Sequence, residues 1–212
     1  MPIPVSKVIE QARHTLSDSE KVFWTESELI GWYNAAVLAI IAARPDAHAK
    51  QVAFAAVAGT QQDLPADALR LIDVVRNESG NMRPITPIDM GMMNRSKPDW
   101  HKPVGASEVQ HYIYNEKVPR KFYLYPAPAT GVSVLIAYSF VPQAVTDATV
   151  NTATMPLEDL YFNPVVDYLL FRGFSKDGVF VQNGRARNHL IAFNEALGIK
   201  MSADEAIAAG RR

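Results

Sequence analysis

Five histidines, at positions 14, 48, 101, 111 and 189, are the residues best suited to acid–base or metal chemistry, and they are scattered. No two stand three or four residues apart, the spacing that sets two ligands on one face of a helix. The chain has no cysteine, which removes thiolate zinc sites, disulfides and cysteine nucleophiles together. "DWH", Asp99 to His101, joins an acid to an imidazole, but near neighbours in sequence rarely converge on one substrate atom. A tryptophan between prolines is better read as the anchor of its loop. Gly59, Gly80, Gly91 and Gly105 are isolated, and no GxGxxG, GxxxxGK or GxSxG string occurs. The expectation is no catalytic residue, no cofactor and no bound metal; the chain is not read as an enzyme.

Basic residues are the next candidates. "NGRARNH" carries Arg185 and Arg187, and the sequence ends on Arg211 and Arg212, clusters of the kind that contact phosphate. Arginines at i and i+2 point to different sides of a helix, so salt-bridging roles are favoured over a nucleic-acid surface. "RKFYLYP" interleaves basic and aromatic residues as a base-stacking platform would, and its alternation fits a half-buried strand equally well. With 21 basic and 22 acidic residues, the net charge of −1 gives no global attraction to nucleic acid or anionic membrane. The longest apolar run, residues 35–43, is too short for a bilayer, and the N-terminal stretch has no signal-peptide pattern.

Helical periodicity opens the chain. Val5, Val8, Ile9, Ala12 and Leu16 recur on one face, with Lys7, Glu10, Gln11 and Arg13 expected to face away. "TESE" offers a capping box from Thr25 to Glu28, and the helix it starts should stop before Pro45. From about residue 51 to 142 the texture becomes short apolar runs broken by Gly and Pro. "VSVLIAYSF" alternates most clearly; "EVQHYIYN" and "RKFYLYP" follow, while "QVAFAAVAG" and "LRLIDVVRN" are weaker. "NRSKPDWHKPVGAS" reads as a long exposed loop. Helix then returns. Asn163 is placed as cap and Pro164 at the first helical position, and a second helix is expected from Gly178 to Leu197, stopped by Gly198. "SADE" at 202–205 offers a cap for a short last helix.

The expected fold class is α+β: a helical bundle made by N- and C-terminal helices together, with an inserted antiparallel β region. The expected boundaries are 1–50 with 157–198 for the bundle core, 51–156 for the insertion and 199–212 for a tail. Neutral charge, many Pro–Gly loops and the lack of any cofactor string suit a structural subunit. Trp100, Tyr112, Tyr114, Tyr123 and Tyr125 suit intersubunit contact, since aromatics dominate interface energetics.

Several ordered blocks carry a resemblance: "WTESELIGWYNAAVLAIIAARPDA", "GTQQDLPADALRLIDVVRN", "PDWH", "VQHYIYNEKVPRKFYLYPAP", "VVDYLLFRGFSKDG" and "NGRARNHLIAFNEALG". Together they resemble the head-to-tail adaptor, or connector, proteins of tailed bacteriophages, over roughly residues 5–198. In role and layout the chain is also similar to the tubular tail proteins A of T7-like podophages. The resemblance implies a closed homo-oligomeric ring, of about twelve copies, built by a contact repeated around an axis. The ring would lie in the virion neck beneath the portal protein and receive a tail tube or nozzle protein. Genomic DNA would pass through its lumen without sequence-specific binding. It implies no membrane partner, and synthesis in the host bacterial cytoplasm. Lys200, Met201, Ile207, Arg211 and Arg212 become candidates for portal docking. Trp100, His101, Tyr112, Tyr123, Tyr125, Arg185 and Arg187 become candidates for contacts with neighbouring subunits or the tail. Another phage neck or tail-completion protein, or a DNA-binding protein, remains the alternative.

Overall fold

Apolar residues at helical spacing give α1 (Val5–Leu16), with Val5, Val8, Ile9, Ala12 and Leu16 all buried, as their spacing predicts. The computed structural model describes residues 2–176 and 181–198. The capping box at Thr25 is present in both directions and opens α2 (Glu26–Ala43), which ends at Arg44 ahead of Pro45. The described residues hold five α-helices and antiparallel sheets, a mixed α/β protein. They divide into two compact units: residues up to Ala47 with those from Pro142 onward, and His48–Val141.

In the first unit α4 (Phe162–Ser175) packs against α1, α2 and α5 (Asn183–Ala196). Leu29, Tyr33, Ile40, Leu169 and Phe174 fill the interior with the apolar face of α1. Each such side chain removed from water contributes about 1.5–3 kcal/mol. Residues 142–156, included in the expected β insertion, lie in this interior through Val145, Val150 and Met155. Asn34 fixes them: its amide donates to the Val145 carbonyl (2.8 Å) and its carbonyl oxygen accepts from the Val145 amide (2.9 Å). The residues that lead into α1 pair with the same segment, Val5 N–H on the Ala153 carbonyl at 3.0 Å and Met155 N–H on the Ile3 carbonyl at 2.8 Å.

The starts of the last two helices differ from their sequence reading. A 3₁₀ turn, Asp159–Tyr161, winds directly into α4, so Phe162 is already helical and Asn163 makes no cap. Gly178 lies outside the described residues, and α5 begins at Asn183. Phe174 and Phe193 are buried between these helices, Phe171 and Leu190 only partly so. Gly198 has φ 71°, the left-handed stop its position demands.

The second unit holds β1 (Ala49–Ala55), β2 (Gln61–Asp63), β3 (Ala68–Asn77), β4 (Thr86–Pro87), α3 (Met90–Ser96), β5 (His111–Tyr114), β6 (Lys121–Tyr125) and β7 (Ser133–Phe140). One sheet runs β1–β7–β3 and the other β2–β6–β5–β4, antiparallel throughout except for the two-residue pairing of β4 with β5. Alternation sends Phe122, Leu124 and Tyr112 into the main core with Leu71, Val74, Val134 and Ile136. It sends Ile113, Tyr123 and Tyr125 toward a smaller cluster around Met93 and Trp100.

Two buried amides hold this unit's loops. The Asn77 side chain donates to the carbonyls of Val109 (2.8 Å) and Arg83 (3.1 Å) and accepts from the Val109 amide (2.9 Å). Gln62 does the same for the Val57–Gly59 turn, accepting from Val57 N–H (2.8 Å) and donating to the Val57 and Gly59 carbonyls (3.0 and 2.9 Å).

Candidate functional site

Two of the sequence-derived candidates, Trp100 and Tyr112, lie in the interior of the sheet unit. Trp100 is 3% exposed, its indole N–H donating to Asn94 Oδ1 at 2.8 Å. The stretch read as a long exposed loop therefore has an anchored middle and starts inside α3. Tyr112 is buried on the opposite face of β5, its hydroxyl donating to Asp73 at 2.9 Å; burial, then this carboxylate, pushes the phenol well above its ordinary pKa.

Around Trp100 the structure does bring three candidates together. The His101 ring lies against the indole at a 31° tilt with centroids 3.6 Å apart, and the Tyr123 ring stands edge-on to both at 5.7 Å. His101 Nδ1 lies 2.9 Å from the Thr60 hydroxyl. Beside them the Lys97 ammonium donates to the Tyr125 hydroxyl at 2.8 Å and sits 5.1 Å above that ring. Pro98, Trp100, Val104, Tyr125 and Pro126 wall an open apolar groove of about 840 Å³, with Lys97 and Lys102 among its polar residues. Lys102 is held by Asp99 at 2.7 Å. Such a groove offers stacking and apolar contact with cations beside it, which is the chemistry of a binding surface.

The arginine candidates belong to the helical unit. Arg185 donates to Gln182 Oε1 at 3.2 Å and lies 4.3 Å over the Phe174 ring, and Arg187 is half-buried on the same helix. On the same helix His189 Nδ1 meets Asp167 of α4 at 2.8 Å. Lys200, Met201, Ile207, Arg211 and Arg212 lie outside the described residues. Among the described residues no group of three or more His, Asp or Glu side chains could hold a metal ion, and no helix is long and apolar enough to cross a membrane.

The feature that sequence reasoning missed is the α1–α2 connection. Arg13, expected to face solvent, is buried: its side chain is 4% exposed and pairs at 2.9 Å with Asp18, which is 1% exposed. The guanidinium also donates to the Trp24 carbonyl (2.8 Å) and to Glu26 (3.0 Å). Asp18 in turn accepts from three backbone amides, Val22 (2.8 Å), Phe23 (2.9 Å) and Trp24 (3.2 Å). Burial pushes its carboxyl up, but the amides of Phe23, Trp24 and Val22 and the Arg13 guanidinium outweigh burial and hold it below the ordinary value. The signal in the sequence is slight: an aspartate just after a helix end, followed within six residues by "VFW". A buried carboxylate takes backbone amides in this way when a turn leaves them without partners.

A family model described as SU10 adaptor protein matches residues 3–212. No curated protein matches the chain.

Proposed function

The chain belongs to the SU10 adaptor protein family, a structural phage family and not an enzyme family, and from that membership we propose that it is the subunit of a head-to-tail adaptor ring in a virion. By its family the chain is a bacteriophage adaptor, a virion component that engages other head and tail proteins. In the proposed assembly about twelve copies form a ring in the neck, closed by one repeated contact. One face of the ring takes the portal, the other a tail tube or nozzle protein, and the genome passes through the lumen.

The observation that carries this reading is a family match over nearly the whole chain, both compact units included. In the proposed division of labour the four longer helices form a bundle that makes the body of each subunit. The sheet unit acts as an inserted domain and presents its Trp100 groove and Tyr125 to neighbours or the tail. Arg185 and Arg187 brace the helical body, and the segment with Lys200, Met201, Ile207, Arg211 and Arg212 docks on the portal. A net charge of −1 suits a DNA passage, because each cation paired with phosphate would add salt-dependent retention of the genome.

A nonsense mutation in the gene is the test. Full-length particles should contain the chain in fixed stoichiometry, and the nonsense mutant should accumulate DNA-packaged heads without tails. Normal tailed virions that lack the chain would reject the proposal.

A further inference from the structure

Val22 and Phe23 are 70% and 46% exposed, side by side, at the tip of the connection between α1 and α2. Single exposed apolar residues are ordinary; these two stand side by side, the Phe23 ring edge-on to buried Trp24 at 5.9 Å. Ser17 and Lys21 both adopt left-handed backbone angles, φ 58° and 59°, which residues other than glycine adopt only under local constraint. The buried Asp18 carboxylate holds the tip from beneath through the amides of Val22 and Phe23 themselves, and Arg13 anchors the carboxylate to α1. The result is a preorganised apolar prong, whose ordering has already occurred before any partner arrives.

We propose that this prong seats in the Trp100 groove of a second copy of the chain, making the contact that repeats around the ring. The inference rests on the ring reading above. The chemistry matches on both counts. The groove is walled by Pro98, Trp100, Val104, Tyr125 and Pro126, an apolar slot in which the partly exposed Tyr125 supplies aromatic surface for a phenyl ring. Lys97 and Lys102 against Asp99 leave the groove with surplus positive charge. Next to the prong Glu20 has no ion-pair partner among the described residues, whereas Lys21 is offset by Glu26 at 3.3 Å. A knob on one surface and a hole on a different one make a heterologous contact, the kind that closes into a ring.

The absence of cysteine makes the test clean. Val22→Cys keeps the Phe23 anchor, and Val104→Cys labels the groove wall; both positions are exposed, so both variants should fold. Mixed and oxidised, the two should give covalent dimers at least 10-fold above a control pair of Val22→Cys with Leu160→Cys, also an exposed position. One chain carrying both substitutions should give a ladder of covalent oligomers. Glu20→Lys should weaken assembly and Lys97→Glu should restore it in part. The unmodified chain is examined in parallel for rings by electron microscopy. Rings whose Val22→Cys and Val104→Cys sites do not couple above the control, or couple only within one chain, overturn this contact and leave the ring reading standing. An unmodified chain that stays monomeric across concentrations rejects the ring reading itself, and this contact with it.

Discussion

Replacing Asp18 by alanine should unfold the helical unit more readily than any other single polar substitution in it. The carboxylate is 1% exposed and is the acceptor for Arg13 and for the amides of Val22, Phe23 and Trp24. Removing it leaves a guanidinium that is 4% exposed without its closest counter-ion, which in buried pairs costs about 3–5 kcal/mol. Each amide left without an acceptor adds a penalty of order 1–3 kcal/mol, but the terms share one site and do not sum. A total loss of about 3–5 kcal/mol is expected, or roughly 6–20 °C in Tm for a chain of this size. The assay is urea and thermal unfolding followed by far-UV circular dichroism, with Asp18→Asn as an intermediate case that keeps the shape and one acceptor. The same group sets a pH dependence. Its folded-state pKa is depressed, so its stabilisation is complete above the unfolded value of about 3.9. That stabilisation is then lost as pH falls toward the lowered value. Wild type should lose stability relative to Asp18→Asn below about pH 4. A Tm change under 2 °C for Asp18→Ala, or parallel pH profiles for the two proteins, would refute the buried-network reasoning.

Asn77→Ala should destabilise the sheet unit by about 2–4 kcal/mol, because it strips partners from buried groups of Val109 and Arg83; hydrogen exchange at Val109 reads this locally. Thr25→Ala removes the cap of α2 and should cost about 1 kcal/mol in urea unfolding. Gly173→Val should cost about 1–3 kcal/mol by overpacking, since even a Cβ there comes within 2.8 Å of Leu16 Cδ2. Trp100→Ala should lower the stability of the sheet unit by about 3–5 kcal/mol before any effect on assembly is read, so its assembly phenotype must be compared with Val104→Ser, which alters the groove wall at an exposed position.

Most of the helices were legible from sequence because each signal was local. The spacing of Val5 to Leu16 and the Thr25–Glu28 box depend only on residues within one or two turns. Arg13 was misjudged because its partners arrive from a turn and a second helix, and helical periodicity ranks any arginine as outward-facing. β3 looked weak for a different reason. Its pairing with β7 skips a residue three times, so Ala68, Leu71, Val74 and Asn77 are buried at a period of three and the two-residue alternation is lost. Trp100 was readable as a loop anchor, but not the α3 turn that begins its loop, since seven residues carry little periodic signal. The candidate site was legible only in part. Trp100, His101 and Tyr123 converge and Tyr112 points into the other face of its strand; the Val22–Phe23 turn leaves only the slight signal of Asp18 ahead of it, and the groove none, because its walls come from residues 97–106 and 125–126.

The most direct test of the adaptor account is electron microscopy of the purified chain mixed with the portal protein encoded in the same genome. The account predicts a ring of density on one face of the portal, sharing its axis, with an open central channel. Portal particles that stay bare while the chain remains a separate monomer would contradict it.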